Sequence, residues 1–243
     1  MLSVVGTPIG NLDDLSPRAL ETLRACDLVA AEDTRHSLIL LQRHDLRKPL
    51  VSLHEHNEAR RTAELLERLR AGDHVALVSD AGLPGICDPG ARLVAACHTH
   101  AIPVRVIPGP SALVTALAGS GFDGSSFHFG GFLPPKSGGR TAALEAAAAR
   151  PETTLHYETP HRLLRALETA AAVLPDRRIC VARELTKHFE EFRVAHPADL
   201  LAHYTAHPPK GEIVLVIEGA TEARRRTRRD TAPTPIPDSP DAV

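Results

Sequence analysis

The chain of 243 residues lacks several features that would have pointed directly to a chemistry. Only four lysines (Lys48, Lys136, Lys187, Lys210) stand among its 28 basic residues. None of them falls in the glycine-rich loops that follow the early apolar runs. The P-loop pattern G-x-x-x-x-G-K-[ST] is missing, and no G-x-G-x-x-G follows the first apolar run, so a cradle for a nucleoside polyphosphate is not expected. The arginine excess suits phosphate contacts, but a biased genome produces the same ratio. Four cysteines (Cys26, Cys87, Cys97, Cys180) are scattered without a C-x-x-C pair, which predicts reduced core thiols. There is no H-E-x-x-H. His54-Glu55-His56 and His98-Thr99-His100 are close pairs without a matching cysteine cluster, so no metal is expected. No apolar run is long enough to span a bilayer and no signal peptide is visible, which predicts a cytoplasmic protein away from membranes. With a net charge of −2, the chain as a whole is not marked as a polyanion binder.

What is present is alternation. Hydrophobic residues make up 43% of the chain, enough for a substantial core. Strands are expected at 2–6, 27–32, 49–54, 74–79 and 103–107. Helices are expected from Ser16-Pro17, over 57–72 and from about Pro89. This order argues for an α/β layered fold. The second half alternates again: SFHFGGF, a helix over 137–149, TTLHYE, a helix over 160–173, RRICVARE, HFEEFRVA, a short helix and EIVLVIEG. Its last strands have little helix between them, which predicts a mixed sheet. The domain boundaries follow: an N-terminal α/β domain over 1–112, a linker over 113–122, a C-terminal α/β domain over 123–219, and a disordered Arg- and Pro-rich tail over 220–243.

Five loops leave strand ends carrying Gly, Pro and polar residues: GTPIGNL (6–12), AEDTRH (31–36), SLHEHNE (52–58), SDAGLPGICDPG (79–90) and PGPSA (108–112). Ligands of open α/β sheets sit outside the carboxyl ends of the strands, so the five loops would line one rim. A rim with Asp80 and backbone amides but no lysine fits a nucleoside bearing a cation better than a polyphosphate. S-adenosylmethionine answers that description. Glycines that merely allow tight turns are the alternative for any one loop.

The ordered motifs TPIGNL, AEDTR, SDAG-P, DPG, PGPSA, GFLP, YETPHR, RELTK and KGE resemble the tetrapyrrole-methylase (class III methyltransferase) superfamily. AEDTRH, SLHEHNE and ARELTK resemble its ribosomal RNA small-subunit methyltransferase I family. The resemblance implies two α/β domains with the ligand cleft between them, a homodimer, and S-adenosylmethionine as cofactor. It implies methylation of a cytidine ribose 2′-hydroxyl in the decoding region of 16S rRNA, with the small ribosomal subunit as partner. By position it assigns Pro8, Asp80, Ala81, Gly82, Ile86, Ser111 and Ala112 to the cofactor from the first domain, and Leu133, Tyr157, Leu185 and Glu212 from the second. Leu83 and Cys87 depart from the family's usual Thr and Ser. A further helical C-terminal segment common in the family is replaced here by the Arg- and Pro-rich stretch.

A 2′-hydroxyl needs in-line positioning and a proton acceptor. Candidate catalytic residues are Glu32, Arg35, Glu184 and Lys187. Arg35, His54, His56, His161, Arg162 and Arg183 are candidate RNA contacts. Structural alternatives stand beside them. Glu184 and Lys187, three apart, would pair with each other; Asp33 would pair with Arg35; His161 and Arg162 would sit on an exposed helix start. Two other functions stay open: methylation of a corrin or porphyrin precursor, and a non-catalytic module that binds cofactor or RNA.

Overall fold

A computed structural model describes residues 1–220; from residue 221 the expected tail lies outside the described residues. The structure is α/β. Its first sheet has five strands, β1 (Leu2–Val5), β2 (Leu28–Ala31), β3 (Leu50–Ser52), β4 (Val75–Val78) and β5 (Val104–Ile107). They are ordered β3-β2-β4-β1-β5, and every pairing is parallel. Helices α1 (Pro17–Ala25), α2 (Thr34–Arg43), α3 (Glu58–Arg70) and α4 (Ala91–Thr99) supply the crossovers, and α5 (Ala112–Ser120) follows β5.

The strands read as unbroken apolar runs because both faces of the sheet are covered. Leu2, Val4, Leu28, Ala30, Val75 and Leu77 point into a core with Leu65, Leu66 and Leu69 of α3 and Leu93 and Cys97 of α4. Their neighbours Val5, Val29, Ala31, Ala76 and Val78 point the other way, onto Ala19 and Leu23 of α1 and Leu40 and Leu41 of α2. Pro17 opens α1, and the Ser16 hydroxyl accepts the Ala19 N–H at 3.1 Å, the capping that Ser-Pro predicts. Helix α2 was not anticipated. Asp33 caps it by accepting the Arg35 N–H at 2.8 Å, so half of the AEDTRH loop is the first turn of a helix.

The second sheet is formed by β6 (Phe127–Phe132), β7 (Thr153–Glu158), β8 (Ile179–Arg183), β9 (Glu191–Ala195) and β10 (Ile213–Ile217), ordered β6-β7-β10-β8-β9. Helices α6 (Ser137–Ala149), α7 (Pro160–Val173) and α8 (Pro197–Ala206) accompany it. β6 and β7 are parallel. β8 and β10 are antiparallel: Glu184 N–H bonds to Glu212 C=O and Glu218 N–H to Arg178 C=O, so numbers rise along one strand as they fall along the other. The sheet is mixed, as its short connections predict.

Two compact units result. One comprises Met1–Gly119 with Ala182–Phe192 and Gly211–Val214; the other comprises Ser120–Val181, Arg193–Lys210 and the chain from Leu215. The chain first crosses within the stretch expected as a linker, most of which is α5. Two segments assigned by sequence to the second domain pack instead with the first unit. The reason is local: the turn after β8 docks on the loop after β1, where the Asn11 N–H donates to Thr186 Oγ1 at 3.1 Å. Cys26, Cys97 and Cys180 are buried free thiols, whereas Cys87 is exposed on the loop after β4 and is not a core residue.

Candidate functional site

In an all-parallel sheet every strand ends at the same edge, so the five loops do form one rim. The rim is stitched by specific contacts. Thr7, after β1, exchanges backbone hydrogen bonds with Gly82, after β4, at 2.8 and 3.2 Å. Its buried hydroxyl lies 3.3 Å from the Ser79 and Gly82 carbonyls. Gly82 has φ +80°, a conformation that disfavours a side chain. The loops after β1 and β5 touch through glycines: a Cβ on Gly6 would lie 2.8 Å from the Gly109 Cα. Asp80 Oδ1 accepts the Asp33 N–H at 3.0 Å and so joins the loops after β4 and β2. Glu58 Oε1, at the start of α3, accepts the Gly90 N–H at 2.9 Å. Thr7 and Glu58 had escaped the sequence reading. Both fall inside the TPIGNL and SLHEHNE patterns, but their partners lie far along the chain.

Carboxylates dominate the rim electrostatically. Burial raises the Asp88 pKa to about 6, and the negative charges of Glu32 and Asp80 add to the shift. Glu32 is also raised, first by burial and then by Asp80. A rim of this sign attracts a cation and repels a polyphosphate. Pro8 and Gly82 are buried in it, Ala81 and Ile86 are exposed, and Ser111 and Ala112 stand half-buried where the PGPSA loop enters α5. On the β2 side, Arg35 grips Asp33 with its Nη2 2.6 Å from Oδ2, yet its side chain remains 90% exposed. The Arg35 hydrogen bonds hold Asp33 far below the usual carboxylate range. His54 is half-buried, with Nε2 3.0 Å from Asn57 Nδ2, and the exposed His56 meets it edge-on at 6.0 Å.

The turn after β8 brings a second cluster to the first unit. Lys187 Nζ lies 2.9 Å from Glu184 Oε1 and 2.7 Å from Glu212 Oε2. Glu184 Oε1 also accepts the Glu212 N–H at 3.1 Å. Burial alone would raise the Glu184 carboxyl, but these donors bring it below its ordinary value. Burial alone would lower Lys187, but Glu212 and Glu184 raise it. Two non-glycine residues, Glu184 (φ +52°) and Thr186 (φ +65°), adopt the left-handed conformation in this turn, a cost of order 1–3 kcal/mol each. Gly211 makes room, since a Cβ there would lie 2.0 Å from Glu184 Oε1. A Cβ on Gly10 would lie 2.6 Å from Lys187 Cγ and 2.9 Å from the carbonyl oxygen of the buried Leu185. The cluster holds backbone in place: Glu184 is a poor proton acceptor, and the ammonium of Lys187 is already neutralised. Arg183 is partly buried and pairs with Glu191 at 3.1 Å.

In the second unit the Leu133 N–H donates to the Tyr157 carbonyl at 3.3 Å. Arg162 donates to the Leu133 carbonyl and pairs with Glu158 at 2.9 Å, the Glu158 side chain being 0% exposed. Arg162, a candidate RNA contact, fixes the loop that carries Leu133. His161 beside it is exposed.

The sequence model of the Tetrapyrrole (Corrin/Porphyrin) Methylases matches residues 1–201. Curated proteins named ribosomal RNA small subunit methyltransferase I are similar over most of the chain. That of Synechocystis is 49% identical over 93% of this chain and 81% of its own length. That of Escherichia coli O157:H7 is 48% identical over 90% and 77%. That of Thermotoga maritima is 44% identical over 90% and 98%. Among solved structures, the methyltransferase CobJ shares the fold with TM-score 0.67 at 22% identity, covering 90% of this chain and 94% of its own. A uroporphyrin-III C-methyl transferase from Thermus thermophilus, complexed with S-adenyl homocysteine, matches with TM-score 0.62 at 18% identity, covering 92% and 99%.

Proposed function

Because the chain belongs to the tetrapyrrole methylase family, and within it to the ribosomal RNA small subunit methyltransferase I family, we propose that it is an S-adenosylmethionine-dependent methyltransferase. Its acceptor is the ribose 2′-hydroxyl of a cytidine in the decoding region of 16S rRNA. The observation that carries the reading is identity of 44–49% across nine-tenths of the chain to proteins of that name. The corrin or porphyrin reading draws on the matched family model, whose description names such methylases, and on a shared fold at 22% identity or less.

The donor set fits the cofactor. Glu32, Asp80 and Asp88 favour a cation at the rim, Gly82 exposes backbone without a Cβ, and Lys187 is tied to two carboxylates. Pro8, Asp80, Ala81, Gly82, Ile86, Ser111, Ala112, Leu133, Tyr157, Leu185 and Glu212 are the residues assigned to hold it. When bound, the cofactor supplies an electrophilic methyl group on a sulfonium. Glu32, raised above its ordinary pKa, is the better-suited acceptor for the hydroxyl proton. The exposed guanidinium of Arg35, oriented by Asp33, meets an RNA phosphate, with His54 and His56 beside it. Glu184 and Lys187 position the turn that carries Leu185. The active form is a homodimer in the cytoplasm. Edge strand β5 and helix α5 support that reading with the exposed Val106 and Val114; among the described residues no helix is long and apolar enough to cross a membrane.

The test is transfer from tritiated S-adenosylmethionine to purified small subunits lacking 2′-O-methylation, with mapping of the labelled nucleotide. Label on one ribose in the decoding region is expected. Cofactor binding without label would leave another acceptor, such as a corrin or porphyrin precursor, or the non-catalytic module as the reading.

A further inference from the structure

Aromatic residues are scarce in this chain: six phenylalanines, two tyrosines and no tryptophan. Half of them share one place, with Phe127, Phe129 and Phe132 on β6 and Tyr157 on the adjacent β7. The register pairs Phe127 with Thr153, Phe129 with Leu155 and Phe132 with Tyr157. Side chains alternate along a strand, so Phe127 and Phe129 share a face with Tyr157. Phe132, three residues beyond Phe129, would fall on the opposite face of a regular strand. An irregularity between Phe129 and Phe132 returns it to the same face.

Two glycines and a histidine build that irregularity. Gly131 has φ +65°, and a Cβ on Gly130 would lie 2.2 Å from His156 Cε1. His156 is buried, with Nδ1 3.2 Å from the Gly131 carbonyl oxygen. Its Nε2 is buried without a partner, which assigns the proton to Nδ1 and a neutral ring. The bulge therefore rests on an imidazole wedge, and its effect is to keep three aromatic rings in phase. The Tyr157 ring meets Phe129 at 4.9 Å and Phe132 at 5.4 Å, both edge-to-face. These contacts fix the rings while Phe132 stays 51% exposed and Phe127 42%.

The surroundings are cationic. β6 and β7 are parallel and lead into α6 and α7, so both helix N-termini come to the edge that carries Phe132 and Tyr157. Neither has a side-chain cap, which leaves the N–H groups of Ser137, Gly138 and Gly139 at α6, that of His161 at α7, where Pro160 has none and Arg162 N–H bonds the Thr159 carbonyl, and the positive ends of two helix dipoles there. Lys136, Arg140, His161 and Arg162 stand in or beside these first turns. Arg140 Nη1 donates to the Pro135 carbonyl at 3.1 Å and Arg162 donates to that of Leu133, which fixes the backbone that follows Phe132. The acid at this edge, Glu158, is buried and paired with Arg162. An open aromatic ring beside positive helix ends matches a nucleotide strand, one base on the ring and its phosphate at the N–H groups. An apolar protein partner would have no use for the charge.

We propose that Phe132, backed by Tyr157 and Phe129, stacks an unpaired base of the RNA substrate, with the adjoining phosphate at the N-termini of α6 and α7. The inference rests on RNA being the acceptor. It assigns to β6 a substrate-positioning role outside the loops of the first unit.

The experiment compares wild type, Phe132→Leu and Phe132→Trp as full chains. It reads binding of a labelled single-stranded oligoribonucleotide of decoding-region sequence by anisotropy, cofactor binding by calorimetry, and kcat and KM for small subunits. Loss of a base–aromatic stack weakens binding by about tenfold. Phe132→Leu is expected to weaken the oligonucleotide and raise KM by about that factor, with cofactor affinity unchanged and Phe132→Trp behaving as wild type. Equal RNA binding by Phe132→Leu and wild type overturns the proposal. So does a Phe132→Leu variant that loses cofactor affinity alone, which assigns the ring to the cofactor's adenine. Oligonucleotide binding is read without methyl transfer, so the two readings fail separately. A wild type that stacks RNA through Phe132 but transfers no methyl group retires only the catalytic reading. A wild type that transfers, with a Phe132→Leu variant that does so equally well, retires only the platform.

Discussion

The carboxylate of Asp80, just past β4, accepts the backbone N–H of Asp33, just past β2, at 3.0 Å. One side chain thus ties two loops of the rim while adding negative charge to it. Asp80→Ala should weaken cofactor binding at least tenfold and lower stability by about 1–3 kcal/mol, the cost of orphaning a donor bonded to a charged acceptor. Asp80→Asn keeps an acceptor oxygen and should recover the stability but not the affinity. Calorimetry and urea denaturation separate the two effects, and equal cofactor affinity in wild type and Asp80→Ala would sink the assignment.

Arg35 is held by Asp33 yet faces solvent, so its loss should cost little stability, within about 0.5 kcal/mol. Its phosphate contact should appear instead in the salt dependence of RNA binding. Arg35→Ala should reduce the slope of log affinity against log salt by about one, with cofactor affinity intact. An unchanged slope argues that Asp33 alone is the partner of this guanidinium.

Lys187 and Gly10 form one packing unit, because a Cβ on Gly10 would meet Lys187 Cγ at 2.6 Å and the Leu185 carbonyl at 2.9 Å. Lys187→Ala should destabilise by about 1–3 kcal/mol, since Glu184 and Glu212 lose their shared cation, and methyl transfer should fall with it. Gly10→Ala should show the same defect through steric displacement. The double variant should be less impaired than the sum, because the cavity left by Lys187 admits part of the new methyl group. Additive losses in a thermal-unfolding cycle would contradict this coupling.

Asp88 titrates near 6 in the folded chain against an ordinary 3.8. Between these values the folded chain binds more protons than the unfolded one, so its contribution to stability falls as pH rises through that window and levels off above about 6. Asp88→Asn should therefore gain most over wild type at pH 7 and little at pH 4. Cofactor affinity has the opposite sign: it should increase as pH rises through about 6 and Asp88 ionises, and Asp88→Asn should flatten the profile. Calorimetric titrations at pH 5 and pH 8 read both variants.

Of the four cysteines only Cys87 is exposed. Native protein should release one equivalent in a disulfide-exchange thiol assay, and Cys87→Ser none. Reaction should be slow at neutral pH, because partial desolvation of the sulfur and then the neighbouring Asp88 raise the thiol's pKa. Two or more fast equivalents would show that Cys26, Cys97 or Cys180 is accessible.

The architecture was legible in the sequence where burial is symmetrical. Runs such as VALV announce strands covered on both faces, and a parallel sheet then requires that the loops share an edge. Helix α2 escaped because its capping aspartate and first turn had been read as part of a ligand loop. The spacing of Glu184 and Lys187 foretold their pairing, as did that of Asp33 and Arg35. It could not foretell that Glu212 would join the first pair from 25 residues away. Arg162 in YETPHR reads from sequence as an RNA contact or, alternatively, as part of an exposed helix start. Its real partners, a buried glutamate and the carbonyl of Leu133, become visible only once β6 lies beside β7. Thr7 and Glu58 lie within recognised loops, but only the fold reveals that they fasten the rim.

The first unit is not a continuous piece of chain: Ala182–Phe192 and Gly211–Val214 return to it after the second has begun. During synthesis, Gly10 and the loop after β1 leave the ribosome long before the turn that will cover them. The rim can reach its final form only when nearly all of the described chain has emerged. The nascent protein therefore passes most of its synthesis with an unfinished rim, completed only after the turn that follows β8 and then Gly211–Val214 have emerged. Cutting the chain after Gly119 would part the rim from the turn that docks on it, so the gene should not divide at that point into two independently useful halves.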